Sequence, residues 1–306
     1  MPWQRNHKMF SVLPSFIVFP VHLLLQMLSL AFWTICITLL GFIKFILPFS
    51  FFTKPINSIL NFMMYAFGFC SVALIKCMNK VEFDYVVDGE LSKKQWYLII
   101  SNHLSWLDII LLTDFAVGKI PAPKFFLKKE LIWLPFVGLA AWALDMPFMQ
   151  RYNKAFLQKN PHLEGKDIAT TKKSCEKFRQ LPTTVINFVE GNRFTPEKQK
   201  LKQSPFKNLL PPKAGGIAFT LATMGELFTS VLDITIIYPD TQGSPMMTML
   251  SGRLKKVTIR VNVHPLTDEI IGDYYNDENF KQGFQSWLNL IWQNKDKLIS
   301  TLKEKN

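Results

Sequence analysis

In the stretch NHLSWLD, His103 stands five residues before Asp108, directly after the apolar run WYLIIS. A histidine beside a carboxylate is the pairing used in general-base chemistry: the carboxylate fixes the ring tautomer and stabilises the imidazolium. Inside a helix, residues five apart are turned about 140° from each other, so the two side chains would diverge. They converge if His103 occupies the turn and Asp108 lies in the first turn of the helix that follows. Ser105 is then the N-cap and Asp108 falls at N3. The same residues also read as a plain capping pair with His103 in a loop, and the fragment alone leaves both readings open.

Three further stretches carry charged groups in suggestive settings. FVEGNRF follows the β-branched run TTVIN, so Glu190 and Arg193 flank a Gly-Asn turn at a strand end. Gly191 permits close backbone approach, and the guanidinium fork of Arg193 suits a phosphate or carboxylate. A surface ion pair across a tight turn fits the same residues. In LLPPKAGGIAF, Lys213 precedes a helix start, a favourable place for an anion but equally an ordinary helix beginning. The segment from Lys128 to Arg151 is apolar and aromatic with charges only at its ends. It fits either packed core or an acyl-chain groove that ends at Arg151.

Positioning these groups requires a sheet. FDYVVDG, WYLIISN, TTVINFVEG and LDITIIYP read as strands, and KKVTIRVNVHP alternates as a half-exposed strand. KAGGIAFTLATMG reads as a helix, and KSCEKFRQ as the end of one, stopped near Pro182. Phe280, Phe284, Trp287, Leu288 and Ile291 recur at helical spacing, which predicts an amphipathic helix packed on the domain. Strands alternating with helices imply an α/β layer architecture.

The N-terminal region differs in character. From Met9 to Ile43 there is no Lys, Arg, Asp or Glu. A helix over 21–47, closed by Pro48, would be about 40 Å long, enough to cross a bilayer with tilt. A second apolar segment covers 55–78 and reads as a second span or an interfacial helix. Lys44 and Lys54 flank the turn between them, while Arg5, Lys8, Lys76 and Lys80 flank the outer ends, a bias favouring a hairpin with both ends cytoplasmic. Residues 1–80 are thus read as membrane-anchoring helices and 81–306 as a catalytic domain. A net charge of +12 without any nucleic-acid fingerprint points to anionic lipid or a phosphorylated substrate. The four cysteines show neither a C-x-x-C nor a zinc spacing. There is no G-x-S-x-G elbow, no glycine-rich nucleotide loop and no H-E-x-x-H.

Taken in order, these pieces resemble the glycerolipid acyltransferase family, whose best-known members are the 1-acyl-glycerol-3-phosphate acyltransferases. Asn102, His103 and Asp108 match its N-H-x-x-x-x-D block. Lys129, Glu130, Leu131, Pro135 and Gly138 match the K-E-L…P-x-x-G run, which ends in an arginine, here Arg151. Phe188 to Phe194 match F-P-E-G-T-R-S, with Val189, Asn192 and Phe194 departing from it. Ile236, Ile237, Tyr238 and Pro239 match the proline-ended strand, and Lys213 with Gly215 the K-x-G element. In wording, NFVEGNRF and LDMPFMQRY look closest to the YihG-like branch of bacterial inner-membrane enzymes.

The resemblance implies a glycerol-3-phosphate-acyltransferase-like α/β domain with a mixed sheet flanked by helices, preceded by membrane helices. It implies His103 and Asp108 as the catalytic pair, and Arg151, Glu190, Gly191, Arg193 and Lys213 as acceptor-binding residues. No cofactor is expected, only acyl-CoA or acyl carrier protein as co-substrate. The expected partners are a lysophospholipid acceptor and membrane lipids, at a bacterial inner membrane with the catalytic domain facing the cytoplasm. A membrane-associated thioesterase or lipid hydrolase is the alternative, and a non-catalytic scaffold the third.

Overall fold

A computed structural model of the chain describes residues 14–134, 136–149, 172, 175–179, 181–267 and 270–304. The apolar run after Trp96 forms strand β2 (Tyr97–Ser101), buried at every position. β2 is apolar on both sides because both are covered. Leu98 and Ile100 face one hydrophobic layer, while Tyr97 and Ile99 face the other.

Around β2 lie β1 (Glu82–Asp88), β3 (Pro123–Phe125), β6 (Thr184–Phe188), β7 (Ser230–Ile237) and β8 (Lys256–Pro265). The sheet order is β1-β8-β7-β2-β6-β3, and a separate two-stranded sheet joins β4 (Leu127–Lys128) to β5 (Phe148–Met149). Every neighbouring pair in the large sheet is parallel except β7 with β8. The sheet is therefore mixed. β8 is half-exposed, as its alternation predicts: Val257, Ile259 and Val261 are buried, while Lys256, Arg260, Asn262 and His264 on the other face stay partly exposed.

The helices are α1 (Ser15–Ile46), α2 (Ser50–Met78), α3 (Leu107–Ala116), α4 (Val137–Ala143), α5 (Pro196–Leu201), α6 (Ala214–Met224), α7 (Pro245–Leu250) and α8 (Glu278–Glu304). One layer packs α6 and α8 on the sheet through Ile217, Leu221, Phe284, Leu288 and Trp292. The other packs α2, α3 and α7 through Val72, Ile75, Leu107, Leu111 and Met249. KSCEKFRQ closes a helix as predicted: Cys175 is helical, and a 3-10 turn, Glu176–Arg179, follows it.

Both apolar helices begin earlier than the proline positions suggest. Pro20 lies inside α1 and Pro55 inside α2. Each is the sixth residue of its helix, so the bond it removes is the one to the carbonyl of the helix's second residue, Phe16 or Phe51, near the start. Both helices are long and apolar enough to cross a membrane. Their outer faces expose Phe16, Leu28, Phe32, Leu39, Phe62 and Phe69. Their inner faces grip the rest of the chain along their whole length. In α1, Nδ1 of His22 lies 3.2 Å from the Met249 carbonyl, and Lys44 donates to the Ala143 carbonyl at 2.6 Å. In α2, Tyr65 donates to the Ile120 carbonyl at 2.7 Å, and Asn61 accepts from Lys124 at 3.0 Å. The apolar segment after Lys128 divides its roles. Ala143 and Leu144 pack against Ile37, Ile56, Leu60 and Met64, while Trp133, Leu134 and Leu139 are exposed.

Candidate active site

Strands β2, β6 and β7 run parallel, with Ser101 opposite Phe188 on one side and Ile234 on the other. The residues that follow them leave the sheet at the same carboxyl edge, the usual binding edge of an open α/β sheet. Asn102 and His103 follow β2, Glu190 to Arg193 follow β6, and Tyr238 follows β7. Asn102 fastens the first turn to β7. Its Nδ2 donates to the Ile236 carbonyl, and its Oδ1 accepts from the Ile236 N–H, both at 2.9 Å.

His103 Nδ1 lies 2.8 Å from Asp108 Oδ2. The same oxygen accepts from the backbone N–H groups of Leu104 at 2.7 Å and Ser105 at 2.8 Å. Ser105 Oγ in turn accepts from the Leu107 N–H at 3.2 Å. The helix starts one residue later than Ser105 as N-cap would put it: Trp106 is the N-cap, without a side-chain cap bond, and Asp108 gathers the turn before the helix and holds the histidine with one carboxylate oxygen. Its other oxygen accepts from the Tyr238 hydroxyl at 2.6 Å. Burial and the neighbouring Asp108 charge push the Tyr238 phenol well above its ordinary range, so it remains a donor. With Nδ1–H directed at the carboxylate, Nε2 of a neutral ring is left as the basic nitrogen. The imidazole stacks on Phe188, with centroids 4.0 Å apart and planes at 16°. His103 is 9% exposed, so the base sits recessed rather than in open water.

Glu190 is fully buried. One oxygen accepts from the His103 N–H at 2.9 Å and the other from the Leu210 N–H at 2.8 Å. Burial outweighs the lowering by these two N–H groups and Lys295, so its carboxyl is raised to about 7. Lys295, buried in α8, pairs with Asp233 at 2.6 Å and donates to the Ile234 carbonyl at 2.6 Å. The resemblance implies that Glu190 binds the acceptor. In the structure its buried carboxylate holds the main chain of His103 and of Leu210. The Phe194 N–H donates to the His103 carbonyl at 2.7 Å, so the loop after β6 clamps the loop after β2 from both sides.

Gly191 has a φ of +65°, and a Cβ there would lie 3.2 Å from Lys213 Nζ. The lysine side chain therefore crosses the turn where a larger residue would stand. The Lys213 N–H donates to the Val189 carbonyl at 2.9 Å. Arg193 is exposed, with its guanidinium carbon 4.9 Å from the Trp106 ring centroid. The structure thus brings together His103, Asp108, Glu190, Gly191 and Lys213, with Arg193 at the rim. Arg151 lies outside the described residues. Sequence reasoning missed the structural parts of Asn102, Phe188, Tyr238 and Lys295. Asn102, Phe188 and Tyr238 stood in the quoted motifs without a stated part, and Lys295 gave no signal.

The sequence profile of the Acyltransferase family matches residues 84–239, about half of the chain. The chain belongs to the Acyltransferase family. Among curated relatives, the 1-acyl-sn-glycerol-3-phosphate acyltransferase 3 of Arabidopsis thaliana is 28% identical over 64% of this chain and 55% of its own length. The human 1-acyl-sn-glycerol-3-phosphate acyltransferase delta is 23% identical over 66% of this chain and 52% of its own. The 2-acyl-1-lysophosphatidylinositol acyltransferase of Saccharomyces cerevisiae is 26% identical over 65% and 59%. This chain thus spans about half the length of the curated relatives it matches. The solved 1-acyl-sn-glycerophosphate acyltransferase PlsC of Thermotoga maritima aligns over 88% of this chain and 97% of its own, at 17% identity and a TM-score of 0.48.

Proposed function

We propose that this acyltransferase-family protein transfers a fatty acyl group from acyl-CoA or acyl carrier protein to the hydroxyl of a lysophospholipid at a membrane surface. The observation that carries this reading is the His103–Asp108 pair at 2.8 Å, recessed at the carboxyl edge of the sheet beside a turn rich in cations. His103 Nε2 takes the proton of the acceptor hydroxyl as its oxygen attacks the thioester carbonyl. A C–O bond forms, the C–S bond breaks, and the proton passes on to the departing thiolate. Asp108 stabilises the imidazolium in between. Arg193 and Lys213 supply the charge for the acceptor's phosphate, with Arg151 added from the family pattern.

Relatives named for lysophosphatidate and lysophosphatidylinositol acylation support a phosphate-bearing lysolipid without choosing its headgroup. α1 and α2 hold the site at the bilayer. Because they contact the domain from end to end, the pair rests against it with the apolar faces turned to lipid, both ends on the cytoplasmic side. A bacterial inner membrane, and the YihG-like branch, remain part of the proposal.

Purified full-length protein, labelled acyl-CoA or acyl carrier protein, and a panel of lysolipids test the reading. His103→Ala should lower turnover by roughly 10²–10⁴-fold, as expected for loss of a general base. Undiminished transfer by that variant would remove His103 from the mechanism. Free fatty acid released as fast without acceptor as lipid forms with it would instead favour a hydrolase.

A further inference from the structure

The cations beside His103 outnumber the anions that face them. Lys198 begins the set: its Nζ donates to the Arg193 carbonyl at 3.1 Å, so it folds back over the turn. Lys202 lies one helical turn further on, on the same side of α5. α5 stops there with a tight reversal. The Gln203 N–H donates to the Lys200 carbonyl and the Ser204 N–H to the Gln199 carbonyl, both at 3.0 Å. This is a Schellman stop with Gln203 in the left-handed position, at φ 48°, where glycine is usual. Gln199 bonds the Phe206 and Lys207 carbonyls at 2.7 and 2.9 Å, fixing the returning loop. Lys202 is therefore held on a constrained loop rather than on a loose tip.

Its ammonium is shielded from solvent and has no hydrogen-bond partner among the described residues. The charges it feels are those of Lys213, Glu190 and Lys198. Glu190 is the single anion of that set, and both its oxygens already accept backbone N–H groups. Burial and Lys213 together hold the Lys202 amine below its ordinary range. An ammonium without a hydrogen-bond partner, repelled by Lys213 and Lys198, gains from an anion that joins it.

We infer that Lys202, together with Lys198 and Lys213, binds a phosphomonoester dianion and so favours it over a phosphodiester monoanion. The inference rests on the proposed acyl transfer for its substrate but not for its chemistry. A phosphomonoester brings two charges and three terminal oxygens to three ammonium groups. A diester brings one charge and leaves the cluster uncompensated. The dianion is either the headgroup of a lysophosphatidate acceptor or the 3′-phosphate of an acyl-CoA donor.

Full-length wild type, Lys202→Met and Lys202→Arg are compared in thermal melts with methyl phosphate and with dimethyl phosphate. Wild type should melt higher with methyl phosphate than with dimethyl phosphate, and Lys202→Met should lose that difference. Without ligand, Lys202→Met should melt no lower than wild type, because it removes an unpaired ammonium and keeps most of the stem. In steady-state assays, Lys202→Met should raise the KM for lysophosphatidate by roughly tenfold or more, the effect of one lost charge-assisted contact. The KM for lysophosphatidylinositol and kcat should change little, and Lys202→Arg should restore most of the loss. A rise confined to acyl-CoA, and absent with a 3′-dephospho-CoA thioester, would assign the dianion to the donor. An unchanged methyl phosphate response in Lys202→Met, with unchanged KM values, would overturn the inference. A wild type that turns over no substrate would defeat the functional reading, and the melts would still decide the site.

Discussion

Asp108 accepts four hydrogen bonds, from His103, Leu104, Ser105 and Tyr238, and only the first bears on proton transfer. The other three fix where the carboxylate lies. Tyr238→Phe leaves Asp108 Oδ1 without that donor in a buried site. A loss of about 1–3 kcal/mol is expected from an unsatisfied buried acceptor, read by chemical denaturation, with a smaller fall in kcat than His103→Ala gives. Unchanged stability would show that the hydroxyl is dispensable. Glu190 makes a pH prediction of definite sign. Its carboxyl sits at about 7 in the fold against an ordinary 4.5. Between those values the folded chain binds a proton that the unfolded chain has lost. The contribution of Glu190 is thus full below about 4.5, declines as pH rises through 7, and is then constant. Glu190→Gln removes this titration and turns an amide NH₂ toward one of two backbone donors. The melting-temperature advantage of wild type over Glu190→Gln should shrink as pH climbs across that window. A difference that grows with pH would contradict the assignment.

At the scale of elements, α1 is the informative one. A Cβ on Gly252 would lie 2.9 Å from Val18 near its start, and a Cβ on Gly41 would lie 2.3 Å from Ala143 near its end. These contacts are separated by 23 helical residues, roughly 35 Å at the usual rise. A helix crossing a bilayer away from its domain would touch it at one end only. With the domain on the cytoplasmic side, as proposed, the turn between α1 and α2 should stay on that side too, within reach of one leaflet. A cysteine placed at Ser50, in a chain freed of Cys36, Cys70, Cys77 and Cys175, should resist a membrane-impermeant maleimide added outside intact cells. Labelling from outside would establish a full span.

For the whole molecule, the boundary near residue 80 divides the chain order but not the core. Val72 and Ile75 of α2 belong to the layer that contains Leu107, Leu111 and Leu232. Deleting residues 1–80 would uncover that layer under the catalytic sheet, and an exposed apolar face of this kind drives association. The truncated chain is expected to be aggregated or held by detergent, with no cooperative melt, when assayed by size exclusion and circular dichroism. A monodisperse, cooperatively melting fragment would show that the helices are an appendage.

The alternation of strands and helices, the apolar helices and the pairing of His103 with Asp108 were legible in the chain, because local periodicity and short motifs carry them. His103 and Asp108 lie close in sequence, so spacing could bring them together. What only the tertiary structure decided depends on contacts across long separations. Glu190 reads as a ligand-facing acid in FVEGNRF, yet it meets the His103 backbone from 87 residues away. Tyr238 reaches Asp108 across 130 residues, and Lys202 becomes conspicuous only once the folded loop leaves its ammonium without a hydrogen-bond partner among the described residues. Sequence periodicity reports which face of an element is apolar. It does not report which strand ends share an edge, and that sharing sets the His103–Asp108 pair against Glu190 and Tyr238.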